Sequence, residues 1–419
     1  MRLGAKLAAG LFAGVLWGQA ALGSCAALSL SQAVDMAWQN NTSLQVTATD
    51  EAAAAAVLKK ARGASGFALT AAGGFDRTKD SESRTTDTLT AKLTAALPLY
   101  TGGRNEAAIA SGELGVKAAA LLTQRERENI RLAVTTAYYD ALEYGKTVKV
   151  DQESVDNYQA HLTNVTQLYT AGSKARIDVL RSSVELSNAQ QTLIRAQSSY
   201  EIGLAKLRNL LNMDRTEPLQ LTDDVVYQPF AGTAETCIEQ AYRQRKDLTA
   251  DALALQQKEL AVKEAKAGYR PQVSLTAGVS LDDQRQPVRS QSHAFTGGVS
   301  VSWDLFDNGV VQGSVDAAKA AREAARLGLQ QVREDMDLAV RQEYLNMREA
   351  EKRFNSTQAA VNQAEENYTI AREKYRAGEG LMLDIIDAQL ALSTAELNYI
   401  SAQYDYARYK AALENAMGE

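Results

Sequence analysis

The sequence predicts a mainly α-helical chain with a membrane β-barrel, built as two tandem copies of one long unit. Three observations predict it. Tyr169 to Leu207 recurs as Tyr375 to Leu413: each stretch opens on Tyr, reaches Gly172 or Gly378 three residues on, and places Asp178 or Asp384 six residues beyond that glycine. The same offset aligns Leu99-Tyr100 with Leu305-Phe306, and a duplication of this length defines the architecture. Apolar residues recur every seven positions over long proline-free stretches, the mark of coiled coils. Each copy also carries two segments alternating with period two, about ten residues each, the length of a tilted membrane strand.

Composition agrees with long helices. Aromatics are few and only 5 of 419 residues are proline, while Ala, Gln, Glu, Leu and Arg abound. A formal net charge of −6 offers no basic face, so no nucleic-acid partner is expected. Residues 1–24 read as an export signal: Arg2 and Lys6 precede the apolar run Leu7 to Trp17, and Ala21 and Gly23 are spaced for cleavage. That run is too short for an anchor of about 20 residues, and no other run reaches that length, so any membrane span must be made of strands. Cys25 ends the loose lipobox Leu22-Gly23-Ser24-Cys25. Two outcomes stay open for it: lipidation as the first mature residue, or incidental position beside the cleavage point. Cys237 has no obvious partner, so there is no disulfide framework.

The first repeat takes residues 25–212. A helix is expected from Leu28 to Arg62, with Ser31 near its start and the Ala52 to Ala56 run favouring it, until Gly63 and Gly66 break it. A β-hairpin follows over about 66–98. Phe67, Leu69, Ala71, Gly73 and Phe75 alternate in one strand, and Leu89, Ala91, Leu93, Ala95 and Leu97 in the next, with the polar stretch Asp76 to Asp87 as the loop. Pro98 and Gly102-Gly103 end the hairpin, and a helix then runs from Arg104 to Ala171. Its seven-residue stripe is Val134, Ala141, Val148, Val155, Leu162 and Tyr169, and the returning helix carries Val179, Leu186, Leu193, Tyr200 and Leu207. Core packing accounts for these stripes.

An equatorial linker over 213–233, with Pro218 and Pro229, is expected to be an irregular belt. The second repeat, 234–419, follows the same plan. A helix spans about Ala234 to Gly268, and a hairpin covers about 271–305, opened by Pro271 and turned by a polar loop with Pro287. Val273, Leu275, Ala277, Val279 and Leu281 alternate in one strand, and Phe295, Gly297, Val299, Val301 and Trp303 in the other, before Asn308-Gly309. The stripes recur as Val340, Met347, Phe354, Val361, Tyr368 and Tyr375, then as Ile385, Leu392, Tyr399, Tyr406 and Leu413.

Lengths and edges fix the assembly. A helix of about 68 residues is about 100 Å long, so it can pair with two helices of about 35 residues stacked end to end. Gly172 and Gly378 then mark hairpin tips far from the membrane. Four strands cannot close a barrel, and open edges do not survive in lipid, so a homotrimer with twelve strands is expected.

This ordered set of features is similar to the TolC-like outer-membrane factor family: the leading helix, the strand pair, the Leu99 to Gly103 turn, the Tyr-x-x-Gly tips and the duplication. The resemblance covers essentially the whole mature chain. It implies an outer-membrane location, with a trimeric twelve-stranded barrel continuous with a periplasmic tunnel of antiparallel coiled coils, an α-barrel. It implies partners as well: outer-membrane lipid, a periplasmic adaptor (membrane-fusion) protein, and an inner-membrane transporter of the RND, ABC or MFS type. The family role is the exit duct of a tripartite efflux pump or a type I secretion system.

The resemblance also assigns residues. The family's acidic constriction matches Asp384 and Asp387, whose i,i+3 spacing puts both carboxylates on one helix face. Three copies would stack two rings, which should attract cations. The plainer reading, acids suited to the start of a helix dipole, covers Asp384 better than Asp387. Asp178 matches an acid that latches neighbouring coils, and Tyr375 matches a gate tyrosine, though its place on the stripe makes core packing an equal reading. Gly380 stands where the family has the Arg that pairs with that acid, leaving Arg176 or Arg376 as substitutes. The tips Thr170 to Lys174 and Arg376 to Leu381, with Gly172, Ser173, Gly378 and Glu379, match the adaptor contacts; the plainer reading is that the glycines turn the chain.

No enzyme, cofactor or metal site is expected. The only histidines, His161 on the coiled coil and His293 in a strand, form no metal-binding pair, and His161 reads as solvated. The rival reading is a trimeric coiled-coil stalk or adhesin anchored by a β-barrel, which would gather its strands at one end of the sequence.

Overall fold

In the computed structural model the described residues are 26–79, 81, 85–215, 218–285 and 289–419. The expected export signal, Cys25 and Pro287 lie outside them. In chain order the first repeat holds β1 (Ala26–Leu28), α1 (Leu30–Asn40), α2 (Thr42–Ala64), β2 (Ala68–Lys79), β3 (Thr85–Tyr100), α3 (Arg104–Thr170) and α4 (Arg176–Leu211). The linker holds β4 (Leu219–Leu221), and the second repeat holds α5 (Ala234–Gln244), α6 (Lys246–Lys266), a 3-10 turn at Ala267–Tyr269, β5 (Gln272–Gln284), β6 (Ser290–Ser302), α7 (Val310–Arg376) and α8 (Met382–Met417).

The leading helix of each repeat is two helices, not one. Asn41 adopts an extended backbone (φ −67°, ψ 129°): its N–H ends α1 on the Ala37 carbonyl at 2.8 Å, and its side chain opens α2 by accepting the Ser43 N–H at 2.8 Å. Arg245 breaks the second repeat at the equivalent place, with φ −62° and ψ 120°. The first cap is Ser29 rather than Ser31, because Ser29 and Gln32 exchange side-chain and backbone bonds in a capping box.

The long helices behave as their lengths require. α3 and α7 hold 67 residues each, about 100 Å of helix. α2 and α4 both pack along α3, and α6 and α8 along α7. α6 and α8 also reach α3, so the coils of the two repeats lie side by side. The stripe needs correction on the tip-side half of α3. There Val155 and Leu162 are half-buried and Tyr169 is 43% exposed, while Asp151, Tyr158 and Val165 form the buried seam, three residues out of phase. A coiled coil buries two seven-residue series, and the partners within one protomer cover only the second here. On α4 and α8 the expected residues Leu186, Leu193, Leu207, Ile385, Leu392, Tyr406 and Leu413 are buried.

The linker is not wholly irregular. β4 pairs in parallel with β1, setting Leu221 beside Leu28. The Tyr138 hydroxyl, fully buried, donates to the Leu28 carbonyl at 2.8 Å and accepts the Asp223 N–H at 3.2 Å, tying the start of the chain and the linker to α3. Farther along, Tyr406 donates to the Gln228 carbonyl at 2.6 Å.

The two hairpins join into one antiparallel sheet, ordered β2-β3-β5-β6. Register makes it amphipathic. Leu69, Ala71 and Phe75 stand opposite Ala95, Leu93 and Leu89; Leu93 and Leu97 stand opposite Val279 and Leu275; and these meet Phe295 and Val299. The alternate face carries Thr70, Thr90, Lys92, Thr94, Thr276, Ser280, Thr296 and Ser300. Pro98 cannot donate to the ladder, and the β3–β5 register shifts between Pro98 and Tyr100. Leu69, Phe75, Phe295 and Val299 are all exposed, so the described residues of the protomer leave the apolar face uncovered. Among the described residues β2 and β6 are unpaired edges of this sheet.

Candidate functional site

Both tips are the same backbone device. At the first, Gly172 takes φ +77°, its N–H meets the Tyr169 carbonyl and the Ser173 N–H meets the Leu168 carbonyl, each at 2.9 Å. At the second, Gly378 takes φ +82°, bonding back to Tyr375, and Glu379 bonds back to Lys374, both at 3.0 Å. This is the six-to-one, five-to-two closure of a helix end, and the left-handed residue it needs is glycine. A Cβ at either glycine would meet nothing within 4 Å, so both tips stand clear of neighbouring atoms.

Asp384 and Asp387 are both exposed on the first turns of α8. The Asp384 carboxylate accepts the Leu381 N–H at 3.1 Å, which gives it a capping role, while no such bond engages Asp387 among the described residues. Asp178 lies in the first turn of α4, half-buried. It is near enough to Tyr375 to act on it: burial first, and the Asp178 charge second, push the phenol above its ordinary value. They share no hydrogen bond, and the Tyr375 hydroxyl is buried without a partner. Lys174 lies over the Tyr375 ring, 4.5 Å from its centre. Tyr375 packs with Val165, Ala371, Met382, Ile385 and Ala388, so its position on the stripe is a core position.

Of the two arginines that could replace the one missing at Gly380, Arg376 is paired with Glu373 at 3.2 Å. A Cβ at Gly380 would stand 3.0 Å from the Tyr375 backbone nitrogen, so this tip has little room for a side chain there. His161 is not on a solvated face. Its ring lies 5.5 Å from that of Tyr375, its Nε2 is buried without a partner, and burial pulls its pKa down. Its place three residues from the α3 seam residue Tyr158 was the available signal, hidden by assigning the other series to the core.

A feature that sequence reading missed is the ring of aromatics where the sheet meets the helices. Phe67, Tyr100, Tyr269, Trp303 and Phe306 are all exposed there, and the Trp303 indole donates to the Tyr269 carbonyl at 3.1 Å. Tyr and Trp rings in this position suit a membrane–water boundary, and the clustering of aromatics at and beside the strand ends was the signal. Among the described residues no helix is long and apolar enough to cross a membrane.

The chain is 20% identical over 308 residues to the outer membrane protein TolC of Escherichia coli strain K12, covering 70% of this chain and 62% of TolC. It is 22% identical over 307 residues to the toxin and drug export protein A of Aggregatibacter actinomycetemcomitans, covering 70% and 66%. The matches thus span just under two thirds of these two relatives. Among solved structures, the CmeC outer membrane channel of Campylobacter jejuni superposes with a TM-score of 0.82 at 18% identity, over 93% of this chain and 85% of that one. The fold is therefore that of these channels, and residues 33–213 and 237–419 both match one family description. An amphipathic sheet with free edges, seated on paired coils with twin glycine tips, is what the match covers, and the chain belongs to the outer membrane efflux protein family.

Proposed function

We propose that three copies of this chain form an outer-membrane exit duct for a tripartite efflux pump or a type I secretion system. The duct is passive: a periplasmic adaptor opens the tunnel, and an inner-membrane transporter supplies the energy. The observation that carries this reading is the four-stranded sheet with one apolar face, one polar face and two unpaired edges. Three such sheets joined edge to edge make a closed wall of twelve strands, with lipid on the apolar side and a wet bore on the polar side. A stalk or adhesin would need no polar inner face, and the strands here are split between two helical repeats rather than gathered at one end.

Within this reading Asp384 and Asp387 face the axis as a cation-attracting constriction, and Asp178 and Tyr375 belong to the latch that holds the coils closed. The tips around Gly172, Ser173, Gly378 and Glu379 receive the adaptor, their exposed backbone supporting that role. Conductance in planar bilayers tests both levels. The wild-type trimer should give a small, cation-favouring conductance, and Asp384→Ala with Asp387→Ala should raise it and weaken the cation preference. Unchanged conductance and selectivity would remove the ring, and a monomeric mass in detergent would remove the duct.

A further inference from the structure

Close to the tips, α3, α7 and α8 line a half-open cavity of about 340 Å³, with the Arg372 and Arg376 side chains 43% and 61% exposed. Its walls include His161, Arg372, Tyr375, Arg376 and Gln389. Three polar atoms there are buried with no hydrogen-bond partner: His161 Nε2, the Tyr375 hydroxyl and Gln389 Oε1. Tyr375 and Gln389 are each only 4% exposed. A fourth, Arg372 Nε, is also buried without a hydrogen bond, and its contact with Glu373 is an ion pair at 3.4 Å. Orphaned polar atoms are rare because each is costly, so a cluster of them around one cavity asks for an occupant.

The chemistry of the walls selects the occupant. Two guanidinium groups and a phenol offer donors, Gln389 Oε1 is an acceptor that the P–OH of a protonated phosphate can meet, and no lining residue is a carboxylate. The acids that act on the lining stand outside it: Glu373 on Arg372 and Arg376, Asp178 on Tyr375, and Glu185 and Asp387 on Tyr158. A metal cation would meet two arginines and find no anionic ligand. An anion with several acceptor oxygens matches donors of this kind, since guanidinium groups pair with carboxylate and phosphate in the same planar fork.

We infer that this cavity binds a small oxyanion, a carboxylate or phosphate group, held by Arg372 and Arg376 with the Tyr375 hydroxyl donating to it. The walls come from one helix of the first repeat and two of the second, so the bound anion ties the repeats together near the tips. The site needs no neighbouring subunit and does not rest on the export reading, although it shares Tyr375 with the latch proposed there.

Titration of the detergent-purified full-length protein with inorganic phosphate or acetate, against chloride at equal ionic strength, tests it by ligand NMR line broadening. Saturable binding of either probe is expected, and the probe that binds identifies the oxyanion. Arg372→Gln should weaken it about tenfold or more through loss of a charge-assisted bond. Tyr375→Phe, which removes one hydroxyl and keeps the ring, should weaken it less. Arg326→Gln, which removes the same charge from an exposed pair with Glu323 elsewhere on α7, should leave it intact. Binding of neither probe, or binding that survives both cavity variants, overturns the site.

Discussion

Replacing Arg408 should loosen the joint where the two repeats meet, and by an amount that depends on pH. Arg408 on α8 donates to Asp140 at 2.7 Å and Glu143 at 2.6 Å, both on α3, and to Asp405 one turn back. Asp405 is held in turn by Arg353 of α7 at 2.6 Å. The side chains of Arg408, Asp140 and Glu143 are only 18%, 28% and 15% exposed. Burial works against the Arg408 charge, but the bond to Asp405 and the Glu143 and Asp140 carboxylates outweigh it and raise its pKa. In Arg408→Leu the apolar stem remains while Glu143 and Asp140 lose this cation. Removing one partner of a buried pair costs about 3–5 kcal/mol, and the partial exposure of Asp140 puts this case near the lower figure.

The sign with pH follows from Glu143. Burial already pushes its carboxyl above the ordinary value even against the pull of Arg408, and without Arg408 it rises further. A carboxyl raised in the folded state destabilises most above its folded pKa, and that penalty fades as pH falls through the folded value toward the unfolded one. Chemical denaturation of the purified protein should therefore show a deficit of about 3 kcal/mol at pH 7 that shrinks at pH 5. Adding Glu143→Gln should recover part of it at pH 7. A deficit below about 1 kcal/mol, or one equal at both pH values, would refute the buried-charge account.

Other sites give sharper single tests. Gly102 sits at φ +69° with the Ala267 carbonyl oxygen only 2.7 Å from where a Cβ would stand, whereas Gly172 at φ +77° has open space. Gly172→Ala should then cost only the left-handed backbone, about 1–2 kcal/mol, and Gly102→Ala clearly more; equal melting shifts would contradict the clash. Tyr138→Phe leaves the Asp223 N–H without this partner, while the Leu28 carbonyl still accepts the Thr222 N–H at 3.3 Å, a loss of about 1–2 kcal/mol. Hydrogen exchange in the 218–233 linker should accelerate, and unchanged exchange there would show that Tyr138 does not hold it.

Much of this was legible because the signals are periodic. The strands read from alternation because Leu69, Leu93, Val279 and Phe295 share one face, and their ends were underestimated because the ladder continues through polar residues such as Thr85 and Gln284. The helix break at Asn41 was readable in principle, since Asn40 to Ser43 is a run of cap-forming residues. Arg245 carries no such signal, and its extended backbone is accompanied by an ion pair with Asp247 made in the fold. Asp384 and Asp387 were singled out through the family pattern, and local geometry separates them, since among the described residues only Asp384 caps its helix.

By itself the sequence determined the tandem plan, the two hairpins, the long helices and the twin tips, because repetition and hydrophobic period are properties of the chain taken one residue after another. It determined too that four strands per chain are too few to seal a wall in lipid. Only the tertiary structure decided which of two seven-residue series is buried, that β1 and β4 pair across the equator, and that His161, Arg372, Tyr375 and Gln389 surround one cavity. Those outcomes depend on which helices become neighbours across some two hundred residues of sequence, and no local pattern encodes that choice.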